Sequence, residues 1–125
     1  MKMYKMVLGK EDKFWSFHNI ILPLMTEGRL EYKIGKNICP SDYGLYFFKS
    51  KGNVAKFIEY LLNTSSIAHS IKSRIEKYAK GMDMYLVEAE VKKEDIISEG
   101  VKAYSYNIPY FLVKEADIEN ISKVL

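Results

Sequence analysis

Residues Leu45–Phe48 read Leu-Tyr-Phe-Phe, four large apolar or aromatic side chains with no polar break. A strand with one wet face alternates between apolar and polar residues, so one that does not alternate has both faces covered. That puts this stretch at the centre of a sheet. A central strand in turn needs a neighbour on each edge and material on each face. Gly44 before it and Lys49-Ser50 after it mark where it starts and stops.

The rest of the chain supplies those neighbours. Residues 3–8 and 13–18 read as the strands of a hairpin, joined by a loop of about four residues at Gly9-Lys10-Glu11-Asp12. Pro23 and Gly28 limit residues 19–29 to a turn of helix or an extended segment. In residues 30–34, Leu30, Tyr32 and Ile34 alternate with Glu31 and Lys33, the pattern of a half-buried strand. Residues 35–44 follow as a loop punctuated by Gly35, Pro40 and Gly44. Residues 84–91 form a strand with Tyr85, Val87, Ala89 and Val91 on one face and Leu86, Glu88 and Glu90 on the other. Residues 92–100 read as a turn or short helix. Residues 101–106 and 110–114 read as strands separated by Asn107-Ile108-Pro109. The tail is a short helix or a final strand with Ile118, Ile121 and Val124 facing inward.

Two helices stand between these runs. Residues 51–63 place Val54, Phe57, Ile58, Leu61 and Leu62 on one stripe, with Asn53 as the expected cap. Residues 65–81 carry a narrower stripe of Ile67, Ile71, Ile75 and Tyr78 and end at Gly81. About seven strands with two central helices is an α+β pattern: a mostly antiparallel sheet with the helices packed on it. At 125 residues the chain fits one domain spanning 1–125, and 48% hydrophobic residues suffice for a real core.

Composition excludes several functions. No apolar run approaches the roughly 18 residues of a membrane span. No signal-peptide pattern opens the sequence, so a cytoplasmic location is expected. Cys39 is the only cysteine and His18 and His69 the only histidines, which rules out an intrachain disulfide and a Cys/His zinc set. No metal site is expected. The net charge of +3 carries only two arginines, Arg29 and Arg74, and argues for solubility more than for a nucleic-acid groove. Lys72, Arg74, Lys77 and Lys80 nevertheless mark the outer side of the second helix. They form either a solvated face or a surface for an acidic partner or phosphate backbone.

Catalytic motifs are sparse. There is no P-loop, no GxGxxG, no HExxH and no nucleophile elbow. Glu88 and Glu90 sit two apart on a strand, hence about 7 Å apart, a spacing used by inverting glycosidases. Alternating Glu on a solvent face gives the same pattern for solubility. Ser16 and His18 share one face of a strand but are too far apart at their roots for a dependable direct bond. Tyr43, Tyr46, Tyr104, Tyr106 and Tyr110 supply rigid contact area with a polar handle, suited to a pocket, a protein-binding face or a core edge.

The stretch YGLYFFKSKGNVAKFIEY resembles the ADP-ribosyltransferase superfamily, in particular its poly(ADP-ribose)-polymerase-like branch. MYLVEAEV and FLVKEADIENISKV resemble later strands of that family, and FHNIILPLMTEGRL its His-containing strand. The resemblance implies NAD as cofactor, with Tyr46 stacked on the nicotinamide and His18 holding a ribose. A Glu would stabilise the oxocarbenium-like transition state. The family places that Glu near Pro109 and Tyr110, where this chain has none, leaving Glu90 or Glu99 for the role. The overall layout is also similar to small bacteriophage-encoded proteins of the kind that bind and block a host component. The leading expectation is therefore a non-enzymatic binding protein that docks on a host protein or complex and needs no cofactor. The alternatives are an ADP-ribosyltransferase-like enzyme, or a degenerate NAD- or nucleotide-binding relative, and a nucleic-acid-binding module.

Overall fold

β1 (Lys2–Lys10) has apolar side chains on both faces: Met3 and Val7 on one, Met6 and Leu8 on the other, all four buried. Such a strand belongs in the middle of a layered sheet. The computed structural model describes residues 1–16, 31–39, 45–64, 68–102 and 108–124. Around β1 it arranges β2 (Lys13–Ser16), β3 (Glu31–Tyr32), β4 (Gly35–Ile38), β5 (Leu45–Phe48), β6 (Asp83–Glu90), β7 (Ile96–Lys102), β8 (Ile108–Val113) and β9 (Glu115–Lys123). The helices are α1 (Lys51–Glu59), continued by a π-helical turn over Tyr60–Thr64, and α2 (Ala68–Tyr78).

Every pairing is antiparallel, in the order β4-β9-β6-β1-β5-β8-β7. β2 pairs with the second half of β1, and β3 pairs with β2. The described residues thus form a nine-stranded antiparallel sheet with two helices, an α+β domain with more strands than the sequence pattern counts.

The sheet turns a corner. β8 pairs in the half containing β5 and β7, β9 pairs in the half containing β4 and β6, and only Lys114 lies between them. Two cores result. One, between sheet and helices, gathers Met6, Leu8, Phe48, Val54, Phe57, Ile58, Leu61 and Ile71. The other lies within the corner and gathers Met3, Val7, Tyr32, Leu45, Phe47, Val87, Phe111, Val113 and Ile118. Each fully buried Leu, Ile or Phe contributes roughly 1.5–3 kcal/mol, so both clusters bear on stability.

Leu45–Phe48 is the central strand its pattern predicts, flanked by β1 and β8. Several other expectations are corrected. The first hairpin closes with a two-residue turn, because Lys10 pairs with Lys13 and both Glu11 (φ 55°) and Asp12 (φ 63°) adopt left-handed backbone. That geometry matches the right-handed twist of the strands, which a four-residue loop does not require. Gly9 is needed beside it: a Cβ there would come within 2.6 Å of the Phe14 ring, which meets Tyr85 edge-on at 4.9 Å. The cap of α1 is Ser50, whose hydroxyl accepts from the Asn53 N–H at 3.1 Å, so Asn53 is the residue capped and not the cap. The strand read over 30–34 is only Glu31–Tyr32, and the segment read as a loop over 35–44 begins with β4. Ile34 is 61% exposed, although alternation placed it inward. Residues 92–100 form a short 3-10 turn and then most of β7, Pro109 lies inside β8, and the tail is strand β9 with Val124 exposed.

Candidate functional site

β4 ends the sheet and pairs on one side with β9; among the described residues nothing pairs with its other side. The turn leading into it is fastened from within. Asn37 is buried; its Oδ1 accepts from the Lys33 N–H at 3.1 Å, and its Nδ2 donates to the carbonyls of Lys33 at 2.7 Å and Gly35 at 2.8 Å. Gly35 sits at φ +98°, a conformation few L side chains adopt. A side chain with three bonds to one tight turn leaves that turn little freedom, so Ile34 is held at its tip.

Register fixes which way β4 points its backbone. The Cys39 N–H donates to the Lys114 carbonyl at 2.9 Å. Antiparallel pairs alternate, so residues 35, 37 and 39 exchange bonds with β9 while the N–H and C=O of Lys36 and Ile38 point to the free edge. Ile38 is also 61% exposed, and Lys36, on the same face, lies 2.7 Å from Glu115. Beside this rim a groove of about 270 Å³ is lined by Lys36, Glu90, Lys92, Asp95, Glu115 and Asp117. Among the described residues no group of His, Cys, Asp and Glu is arranged to hold a metal ion.

Next to the groove, charges are paired across strands. The ammonium of Lys2 bonds Glu119 and lies 3.9 Å from Glu90 and 4.0 Å from Glu88. The terminal ammonium of Met1 bonds Glu90 and the Val91 carbonyl. The Glu90 carboxyl is held below its ordinary value, chiefly by that terminal ammonium bond and further by the charge of Lys2. A general acid needs the opposite shift. Glu90 is therefore an ionised partner in a surface network with Met1 and Lys2.

A second feature lies where β1 changes neighbours. β1 pairs with β5 only at Tyr4–Phe48, and with β2 from Val7 onward. Lys5 stands at the parting and is buried at 3% exposure. Its ammonium donates to the Tyr46 carbonyl at 2.8 Å and lies 5.2 Å from the Tyr32 ring centre and 5.8 Å from those of Tyr46 and Phe47. Aromatic faces and a carbonyl replace part of the water the cation gives up. Burial pushes the Tyr32 hydroxyl pKa up, with a further push from the nearby Cys39, so Tyr32 stays protonated. Lys5 carries no motif that marks it in the sequence. The signal was its place between Met3 and Val7 on a strand apolar on both faces.

Tyr46 stacks on Tyr110 with ring centres 4.6 Å apart and meets Phe48 edge-on at 5.7 Å. Tyr46 and Glu90 do not converge: two strands and about four residues of register separate them, on the order of 15 Å. One Tyr46 face is covered by Tyr110, and Glu90 is bonded to the terminal ammonium. Glu99 is exposed on β7. His18, Tyr43, Tyr104 and Tyr106 lie outside the described residues. Of the basic residues, Lys72, Lys77 and Lys80 are exposed and Arg74 is half-buried. Lys72 and Arg74, two apart on α2, are about 200° apart around its axis and share no stripe.

Comparison of the chain with protein-family models, with curated proteins and with solved structures finds no match. No described helix is long and apolar enough to cross a membrane.

Proposed function

We propose that this chain is a small non-enzymatic docking protein that engages a partner protein through the β4 rim. The observation that carries the reading is the pair Ile34 and Ile38, each 61% exposed and each presented by backbone that Asn37 and β9 hold in place. A scattered exposed isoleucine needs no explanation. Two on one short edge, beside a turn fastened by a buried polar side chain, offer apolar contact whose ordering cost is already met before binding. A partner's apolar surface covering both would remove them from water without reorganising the domain.

The test compares the tagged protein with its Ile34→Asp/Ile38→Asp variant as baits in bacterial lysate across a salt series. A protein held by the wild type at high salt, lost from the variant, and rebound by wild type after purification supports the reading. Equal capture by both baits overturns it.

A further inference from the structure

We infer that the partner binds as an added strand on β4, an extended segment with apolar side chains over Ile34 and Ile38 and a Lys or Arg reaching the adjoining groove. This rests on the docking reading and specifies its occupant.

Two observations carry it. The first is the backbone: Lys36 and Ile38 direct their N–H and C=O groups outward, the ladder that an incoming strand completes. Short length and an edge lysine, both present in β4, blunt an open edge in part; the stronger devices are proline, a bulge or inward charge. β4 has none of the stronger devices, and its one charge, Lys36, is drawn onto Glu115. The second observation is electrostatic. The groove is lined by four carboxylates, Glu90, Asp95, Glu115 and Asp117, against two ammonium groups, Lys36 and Lys92. Glu90 is taken up by Lys2 and the terminal ammonium, and Glu115 by Lys36. Among the described residues Asp95 and Asp117 form no ion pair, against one further ammonium, Lys92, so the groove keeps an excess of one carboxylate and a partner that brings positive charge is favoured. A second copy is the weaker occupant. Antiparallel pairing of two β4 strands that matches Ile34 with Ile38 sets Lys36 directly opposite Lys36, and like charges so placed are destabilising.

The experiment uses synthetic peptides that alternate valine and threonine and carry one arginine, serine or glutamate on the valine face. Backbone amide spectra and hydrogen exchange are recorded at millimolar peptide. Expected are protection of the Lys36 and Ile38 amides and an affinity about fivefold higher for the arginine peptide than for the glutamate peptide. The margin should shrink in Asp117→Asn and in Asp95→Asn. Lys36→Pro removes an outward N–H without removing a β9 bond and should abolish binding; the exchange data on wild type stand even if that variant does not fold. Unprotected amides at Lys36 and Ile38, equal affinity for all three peptides, no binding at all, or a dimer that Lys36→Pro dissolves each overturn the proposal. If Ile34→Asp/Ile38→Asp loses the cellular partner while Lys36→Pro keeps it, strand addition fails and docking stands. If neither variant loses it, both fail.

Discussion

The ammonium of Lys5 reaches across the parting of β1 and β5 to the carbonyl of Tyr46, 2.8 Å away. The bond supplies a side-chain donor to a carbonyl at a point where the two strands no longer pair. Lys5→Met keeps most of the side-chain volume and removes that donor. The expected cost is about 1–3 kcal/mol, the penalty of removing the donor from a buried hydrogen bond. Urea unfolding measures it. A more stable Lys5→Met would mean that desolvation of the cation outweighs its bonds.

Asn37 makes a sharper prediction. Asn37→Ala removes three hydrogen bonds from one turn and should cost about 2–3 kcal/mol. Asn37→Asp should be worse than a near-isosteric change suggests. The carboxylate can still accept from the Lys33 N–H but turns a second oxygen toward the carbonyls of Lys33 and Gly35. Denaturation midpoints of the two variants give the comparison, and an Asp variant as stable as wild type would show that the turn is not held as described.

The first hairpin has room for improvement. Glu11 and Asp12 both occupy left-handed backbone, which costs an ordinary L residue roughly 1–2 kcal/mol and glycine almost nothing. Glu11→Asn with Asp12→Gly installs the pair this turn prefers. The expected gain is about 1 kcal/mol, read as a rise in the thermal midpoint. No gain would place the strain elsewhere.

Acid should weaken the fold through Glu90. Its carboxyl is lowered in the folded chain, so its contribution is present above the ordinary carboxylate value of 4.5 and is lost as pH falls through the lowered one. Lys2 is raised above 10.5, chiefly by its bond to Glu119, and its contribution is lost only as pH rises past the raised value. Lys2→Met removes the Lys2 titration itself and one of the charges that lower Glu90. Stability profiles of the two proteins should therefore converge in strong acid and separate above it. Parallel profiles would exclude the coupling.

NAD at millimolar concentration should leave the thermal midpoint unchanged, since a ligand that binds only the folded chain raises it. A clear rise would return the weight to the ADP-ribosyltransferase-like reading and to His18.

What could be read from sequence followed periodicity. Leu45, Phe47 and Phe48, with Tyr46 half-buried between them, the alternation of Val87, Ala89 and Val91, and the stripe from Val54 to Leu61 follow their spacing into the core. What could not be read depended on distant partners. β4 is four residues with glycine and asparagine in it, a poor strand by propensity, and exists because β9 pairs with it and Asn37 satisfies the turn. Its exposed isoleucines were invisible for the same reason: alternation alone assigned Ile34 to the core. Lys5 is hidden in the sequence because charge suggests surface, while its strand is covered on both faces.

The corner at Lys114 bears on how the domain forms. β9 follows every other described strand in sequence, yet it lies between β4 and β6, and β8, just before it, lies between β5 and β7. Neither half of the sheet can close while these residues are still being synthesised. The early hairpin and the helices can form locally, but the inner core waits for β8 and β9 to return, a long loop to close before its contacts reward it. Until then Met3, Val7, Leu45 and Phe47 stay open to solvent, and the nascent chain is vulnerable to misassembly until β8 and β9 have emerged.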